Sequence, residues 1–225
     1  MNDVQNFTEI RLFYTKTGSA KYISHLDVMR AFQRALKRTK IKFWYTEGFH
    51  PHLYLNFALP LSLGYESLCE SVDFRLLEEI PPEELAKRIG AMLPVGFQVL
   101  SAGLPVMKAS EIASADYEIT FSVPGSGEED VLAAWKECFG RPEIPVLKKT
   151  KRGEQIVDLK PQAEISALSC EDGRFHFRVR LVSGCKENIN PALLFEAFSG
   201  FSGISADDIS VIRTAVYHEN GEIFR

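Results

Sequence analysis

Residues 9–39, EIRLFYTKTGSAKYISHLDVMRAFQRALKRT, change hydrophobic period partway along, and that change decides the fold class. In residues 9–16, Ile10, Leu12 and Tyr14 alternate with Arg11, Phe13 and Thr15, the period of two that marks a half-buried strand. From Ser24 onward, Met29, Phe32 and Leu36 recur at helical spacing. Ser24 is a good helix N-cap, and Asp27 three residues later completes a capping box in which Glu or Gln is more usual. The stretch therefore predicts a strand followed by an amphipathic helix.

Working outward, residues 41–46 (IKFWYT) and 53–58 (LYLNFA) read as two strands around the turn-rich EGFHPH. Residues 69–77 (CESVDFRLL) read as a further short strand. Pro81, Pro82, Glu83 and Glu84 then open a helix, where a missing N–H is harmless and the helix dipole favours acids. Its stripe is Leu85, Ile89 and Met92, and residues 97–103 (FQVLSAG) close the unit as a strand. This order fits a split βαβ, or ferredoxin-like, domain with one extra strand. Residues 105–114 lose periodicity and read as a linker.

The element order then repeats without residue identity. Residues 117–123 form a strand, Val131, Leu132, Trp135 and Phe139 a helix, and residues 144–161 a hairpin turning near Arg152 and Gly153. The strands AEISALSC and FHFRVRLV follow, separated by Glu171-Asp172-Gly173; in the second, Phe175, Phe177, Val179 and Leu181 share one face and His176, Arg178 and Arg180 the other. Asn190-Pro191 caps a helix with Leu194, Phe195 and Phe198, and residues 209–219 give a last strand. The expected fold class is α+β: two tandem ferredoxin-like domains with antiparallel sheets, spanning residues 1–106 and 107–225.

Of the 225 residues, 45% are hydrophobic and 25% charged, a balance that argues against disorder. No apolar run approaches the roughly 18 residues of a membrane span. The first residues lack the basic start and apolar stretch of a signal peptide, so no membrane association and a cytoplasmic location are expected. Cys69, Cys138, Cys170 and Cys185 are widely and irregularly spaced, which argues against zinc ribbons, redox dithiols and iron–sulfur cradles and leaves buried free thiols. No metal and no cofactor is expected. There is no phosphate-binding P-loop, dinucleotide fingerprint, nucleophile elbow or H-E-x-x-H motif, and the cysteine triplet of a radical SAM cluster is missing.

The net charge of −4 hides an asymmetry. Residues 1–52 carry nine Lys and Arg against four acids, a net +5, leaving −9 on the remainder. On the first helix Arg30, Arg34, Lys37 and Arg38 fall within an arc of roughly 100°, away from the apolar stripe. Lys16, Lys21, Lys40 and Lys42 flank that helix. Such an arc suits a phosphate backbone, since Arg grips phosphate bidentately; a solvated amphipathic face is the alternative. In TEGFHPH (46–52), Gly48 permits unusual dihedrals and Pro51 holds His50 extended, so His50 and His52 would share a side, with His25 at the helix start nearby. The three histidines suit ligand contact, acid–base work or a structural loop. Glu70 shares a strand face with Val72, Phe74 and Leu76 and is a candidate buried charge. The hairpin tip offers Lys148, Lys149, Lys151 and Arg152 to a nucleic acid or to solvent. Phe13 and Tyr54 have parities suited to stacking RNA bases on an open sheet face, although the RNP1 pattern is absent.

The series FYTKTG (13–18), YISHLDVMR (22–30), RALKR (34–38), TEGFHPH (46–52) and NFALPL (56–61), with Gly64, Glu66, Ser67, Glu70 and Asp73, resembles a bacterial family described as radical SAM-linked proteins. KRGEQIVDLKP (151–161) agrees more loosely, and His50 stands where that family's loop carries Asn. The resemblance implies a radical SAM protein as partner, because members occur beside such proteins or fused to their C-terminus. Some members are encoded near ribonuclease and ribosomal-protein genes, which points to RNA. Tandem ferredoxin-like domains also resemble CRISPR RNA-processing endonucleases, an analogy of fold alone. Three readings stand open: an accessory RNA-binding or substrate-presenting protein of a radical SAM enzyme, an RNA-processing or RNA-modifying enzyme using His25, His50 or His52, and a protein–protein scaffold for the radical SAM partner.

Overall fold

The alternating segment forms β1 (Thr8–Lys16) and the capped one α1 (His25–Arg38), joined through a 3-10 turn at Gly18–Tyr22. The computed structural model describes residues 7–150, 153–185 and 187–225. Ser24 is extended, and its Oγ accepts the Asp27 N–H at 3.2 Å while its hydroxyl donates to the Asp27 carboxylate at 2.7 Å. The helix buries Val28, Phe32, Ala35 and Leu36. These lie at i, i+4, i+7 and i+8, so the buried arc is turned slightly from the predicted stripe and Met29 is only half-buried.

The contacts divide the chain into two units, Met1–Glu111 with Ile223–Arg225, and Ile112–Glu222. In unit 1, α1 is followed by β2 (Asn56–Phe57), β3 (Glu66–Leu76), α2 (Pro82–Gly90) and β4 (Phe97–Gly103). The strands lie in the order β4-β1-β3-β2, each neighbouring pair antiparallel. The two full strands expected at 41–46 and 53–58 reduce to isolated bridges, Phe43 to Leu76 and Tyr45 to Leu53, plus the two residues of β2. Gly48, at φ +121, bends the chain there, and Pro51 has no N–H to give a ladder. Ile41, Phe43 and Leu53 are nevertheless buried in the core, so the apolar pattern was real but is satisfied from irregular backbone.

Ile10, Leu12 and Tyr14 of β1 and Val72, Phe74 and Leu76 of β3 form one side of that core, packed with Phe32, Leu36, Leu85, Ile89 and Phe97. On the opposite face Arg11 and Asp73 stand directly across the β1–β3 ladder. Arg11 Nε and Nη2 donate to the two Asp73 oxygens at 2.7 and 2.8 Å, and both side chains are almost fully buried. Nη1 donates to the Met107 carbonyl at 2.7 Å, and the guanidinium lies 4.3 Å from the Phe224 ring centroid. Met107, within the segment read as a linker, is itself buried.

Unit 2 comprises β5 (Ile112–Ser122), α3 (Glu128–Gly140), the hairpin β6 (Pro145–Thr150) and β7 (Gly153–Asp158), then β8 (Ala163–Ile165), β9 (Ser169–Glu171), β10 (Arg174–Val182), α4 (Ala192–Ser202) and β11 (Asp207–His218). Its order is β11-β5-β10, with β8 and β9 both antiparallel to β10. Trp135 lies at the centre of the core, 4.6 Å from Phe177 and 5.1 Å from Phe198 between ring centroids. Gly203, in the left-handed region at φ +73, ends α4 by donating its N–H to Ser199 O. The protein is thus α+β, with mostly antiparallel strand pairing and, among the described residues, four α-helices.

Removing one member of a buried, hydrogen-bonded ion pair strands the other charge, at a cost of about 3–5 kcal/mol. Asp73→Asn is expected to lose that order of stability in urea unfolding, whereas Arg11→Met combined with Asp73→Leu loses less than the single change. A loss below about 1 kcal/mol for Asp73→Asn would contradict this assignment.

Candidate nucleic-acid interface

Arg30, Arg34, Lys37 and Arg38 are all exposed on α1, as its burial pattern requires once Val28, Phe32, Ala35 and Leu36 face inward. Arg30 Nη1 donates to Asp27 Oδ1 at 2.9 Å, a solvent-exposed pair of small energetic weight. Arg38 donates to the Met92 carbonyl. Arg34 and Lys37 make no hydrogen bond or ion pair among the described residues. Arg88 reaches from α2 to donate to Thr39 O at 2.9 Å, so the C-terminal end of α1 gathers cations where the helix dipole favours them.

Lys16, read as a flanking surface cation, is instead buried, at 3% exposure. It occupies the helix-facing parity of β1, where its Nζ donates to Ile23 O at 3.1 Å and Lys21 O at 3.5 Å. Glu70 is buried at 6% exposure, directly across the ladder from Tyr14. His25, the first residue of α1, is half-buried with its ring edge-on to Phe57 at 5.2 Å. Burial lowers its pKa, the Glu70 carboxylate raises it and the Lys16 ammonium lowers it, with the net result below the ordinary value. Lys16, His25 and Glu70 therefore form one electrostatically coupled group beneath the start of α1.

The 46–52 loop is pinched rather than extended. Thr46 N–H donates to His52 O at 2.8 Å, the His52 N–H donates to Thr46 Oγ1 at 3.1 Å, and His52 Nδ1 lies 2.9 Å from Thr46 Oγ1. His50 and His52 are exposed, and Phe49 at the bend is fully so. No set of three metal-ligating side chains forms among the described residues, and His25, His50 and His52 are not drawn into one. On the β6–β7 hairpin, Lys148 Nζ donates to Asn188 O at 2.9 Å, and Lys149 stands 3.9 Å from Glu154 in an exposed pair. Lys151 and Arg152 lie outside the described residues.

Two polar arrangements had no local signal in the sequence. In unit 1 the Arg75 guanidinium lies 4.2 Å from the ring centroids of Phe7 and Tyr54 and 4.8 Å from that of Trp44. These three rings come from separate segments, and the sequence hints at the cluster only through the parity of Tyr54 and the non-core parity of Arg75 on its strand. In unit 2, Arg180 donates to both Asp116 oxygens at 2.7 and 2.9 Å, and the Tyr217 hydroxyl donates to Asp116 Oδ2 at 2.8 Å. Burial pushes the Asp116 carboxyl up, but the bonds from Arg180 and Tyr217 outweigh it and hold the group below the usual range. This cluster borders a shallow depression of about 510 Å³ also lined by Glu118, Glu164, Ser166 and Arg178.

The coupling at the start of α1 has a measurable sign. By NMR titration His25 is expected to protonate below the ordinary midpoint of about 6.5. Glu70→Gln removes the one influence that raises it and should move the midpoint further down; an upward shift would show that the two groups do not sense each other.

No curated protein matches the chain. Among solved structures, a chain of the "Crystal Structure of a Cbf5-Nop10-Gar1 Complex" is similar at 13% identity and a TM-score of 0.49, over 92% of this chain and 48% of that one. The protein thus spans about half the length of that chain. A family model matches residues 9–191, which include all of β1 but Thr8, together with α1, the 46–52 loop, Glu70 and Asp73. The protein belongs to the bacterial family described as "Uncharacterized protein conserved in bacteria (DUF2344)".

Proposed function

We propose that the protein is an RNA-binding, substrate-presenting accessory of a radical SAM enzyme, and that the outward face of α1 grips the RNA backbone. The observation that carries this reading is the exposure of Arg30, Arg34, Lys37 and Arg38 along one helix face, where Arg30 with Asp27 is the one ion pair these four make among the described residues. Guanidinium groups in such a row match successive phosphates, and their charge is local to an otherwise acidic chain. The radical SAM partner rests on the sequence resemblance of residues 13–73. In each unit we read a split βαβ, ferredoxin-like domain. The order β4-β1-β3-β2 in unit 1 and β11-β5-β10 with β8 and β9 alongside in unit 2 support it.

One observation favours a second reading, an RNA-processing or RNA-modifying enzyme. The half-buried His25, held towards its neutral form beside Glu70 and Lys16, has the environment of an acid–base group. Turnover of RNA by the purified protein, lost in His25→Ala and kept in His50→Ala and His52→Ala, would establish it.

The backbone reading predicts RNA affinity that falls with salt by a slope of about −0.7 per phosphate contacted on a single strand. Arg34→Ala combined with Arg38→Ala should flatten that slope by roughly one to two contacts' worth. Fluorescence anisotropy with labelled RNA between about 50 and 200 mM salt measures it, and affinity independent of salt over that range would sink the reading.

A further inference from the structure

Among the described residues, Arg75 is held in a way that leaves its donors unused. Its guanidinium lies against Phe7, Trp44 and Tyr54, and Phe7 and Trp44 are themselves 5.5 Å apart between centroids. Rings satisfy the charge of a guanidinium through their faces, but they accept none of its in-plane N–H groups. Arg75 Nε is buried without a hydrogen-bond partner, and the side chain makes no hydrogen bond or ion pair among the described residues. Glu9 stands directly across the ladder from Arg75, yet no ion pair joins them. This contrasts with Arg11, two rungs away on the same sheet face, whose guanidinium is matched to a carboxylate and a carbonyl.

The cluster is also reachable. Phe7 remains 37% exposed, and Arg75, Trp44 and Tyr54 are half-buried. A ligand that completes it must bring a flat π-face to extend the stack and in-plane acceptors for the free N–H groups. An unpaired nucleotide offers both within one residue, as a base face together with base-edge or phosphate oxygens. A duplex offers the phosphates but keeps its base faces stacked away.

We propose that the Arg75 cluster, with Phe7, Trp44 and Tyr54, is a stacking site for an unpaired base of single-stranded RNA. It rests on the reading of the protein as an RNA binder and adds a second contact surface in unit 1, on the sheet rather than on α1. The helix supplies charge without regard to base pairing; this cluster discriminates single strands from duplexes.

The test uses the full chain, a labelled 12-nucleotide single-stranded RNA and a duplex of the same length, with affinity read by anisotropy and Trp44 emission read in parallel. The expected result is that Phe7→Ala and Arg75→Ala each weaken single-strand binding by about 5- to 150-fold. Duplex binding stays within about twofold, and single-stranded RNA quenches a part of the emission that is absent in Trp44→Phe. Phe7→Ala guards against misfolding of the Arg75 variant, because Phe7 is surface-exposed and lies just before β1. Single-strand binding that depends on Arg34 and Arg38 but not on Phe7 or Arg75 would overturn the stacking site and leave the helix reading standing. Binding that depends on Phe7 and Arg75 but not on the helix cations would do the reverse. No binding of either RNA would remove both.

Discussion

Arg11 and Asp73 face each other across the β1–β3 ladder, enclosed on the side of the sheet away from the helices. Two buried charges are tolerable only when nitrogen meets oxygen throughout, and here the fork donates to both carboxylate oxygens and to a main-chain carbonyl. A slip of one residue in either strand would carry that strand's charge into the helix-facing core, turn its Leu12 or Val72 outward and leave the other buried charge unpaired. The pair therefore penalises any other register. That register in turn fixes what lies along the rest of the ladder: Tyr14 opposite Glu70, and Glu9 opposite Arg75. The polar group under α1 and the aromatic cluster around Arg75 both depend on one ion pair that belongs to neither.

Unit 2 contains a related device with the charges exchanged. Asp116 on β5 meets Arg180 on β10, again directly across an antiparallel ladder and again through both carboxylate oxygens. The difference is exposure. Asp116 and Arg180 are only partly buried and Arg180 also lies over the Tyr217 ring at 4.0 Å, so solvent screens the pair and its loss would leave a less costly charge behind. The tighter pair holds a covered face, and the looser one borders an open depression.

Much of this architecture was legible because local signals agreed with the global answer. Ser24 capped the helix that the periodicity required, and the alternation of Phe175, Phe177, Val179 and Leu181 survives as the buried face of β10. What failed did so for nameable reasons. The apolar residues Ile41, Phe43 and Leu53 looked like strand residues, yet a pinched loop between Thr46 and His52 delivers them to the core without a ladder. Lys16 flanks the surface cations in sequence, yet it shares the parity of Ile10, Leu12 and Tyr14, and that parity rather than its charge sets its burial. The Arg75 cluster joins residues 7, 44, 54 and 75, and no window of sequence short enough to show a pattern contains them together.

The basic face of α1 can be divided by asking which of its cations the fold itself explains. Lys37 and Arg38 sit in the last turn, where the helix dipole favours positive charge by about 0.3–1 kcal/mol each, and Arg38 is tied to a carbonyl as well. Arg30 is held by Asp27. Arg34 stands mid-helix, too far from either end for the dipole to matter, and without a hydrogen bond or ion pair among the described residues. Arg34 on the helix and Arg75 on the sheet are thus alike in kind: each is a guanidinium whose side-chain donors meet no hydrogen-bond or ion-pair partner among the described residues. The protein matches donors of Arg11 and Arg180 with carboxylate oxygens, and on the proposed reading those two positions are where the RNA's oxygens would bind.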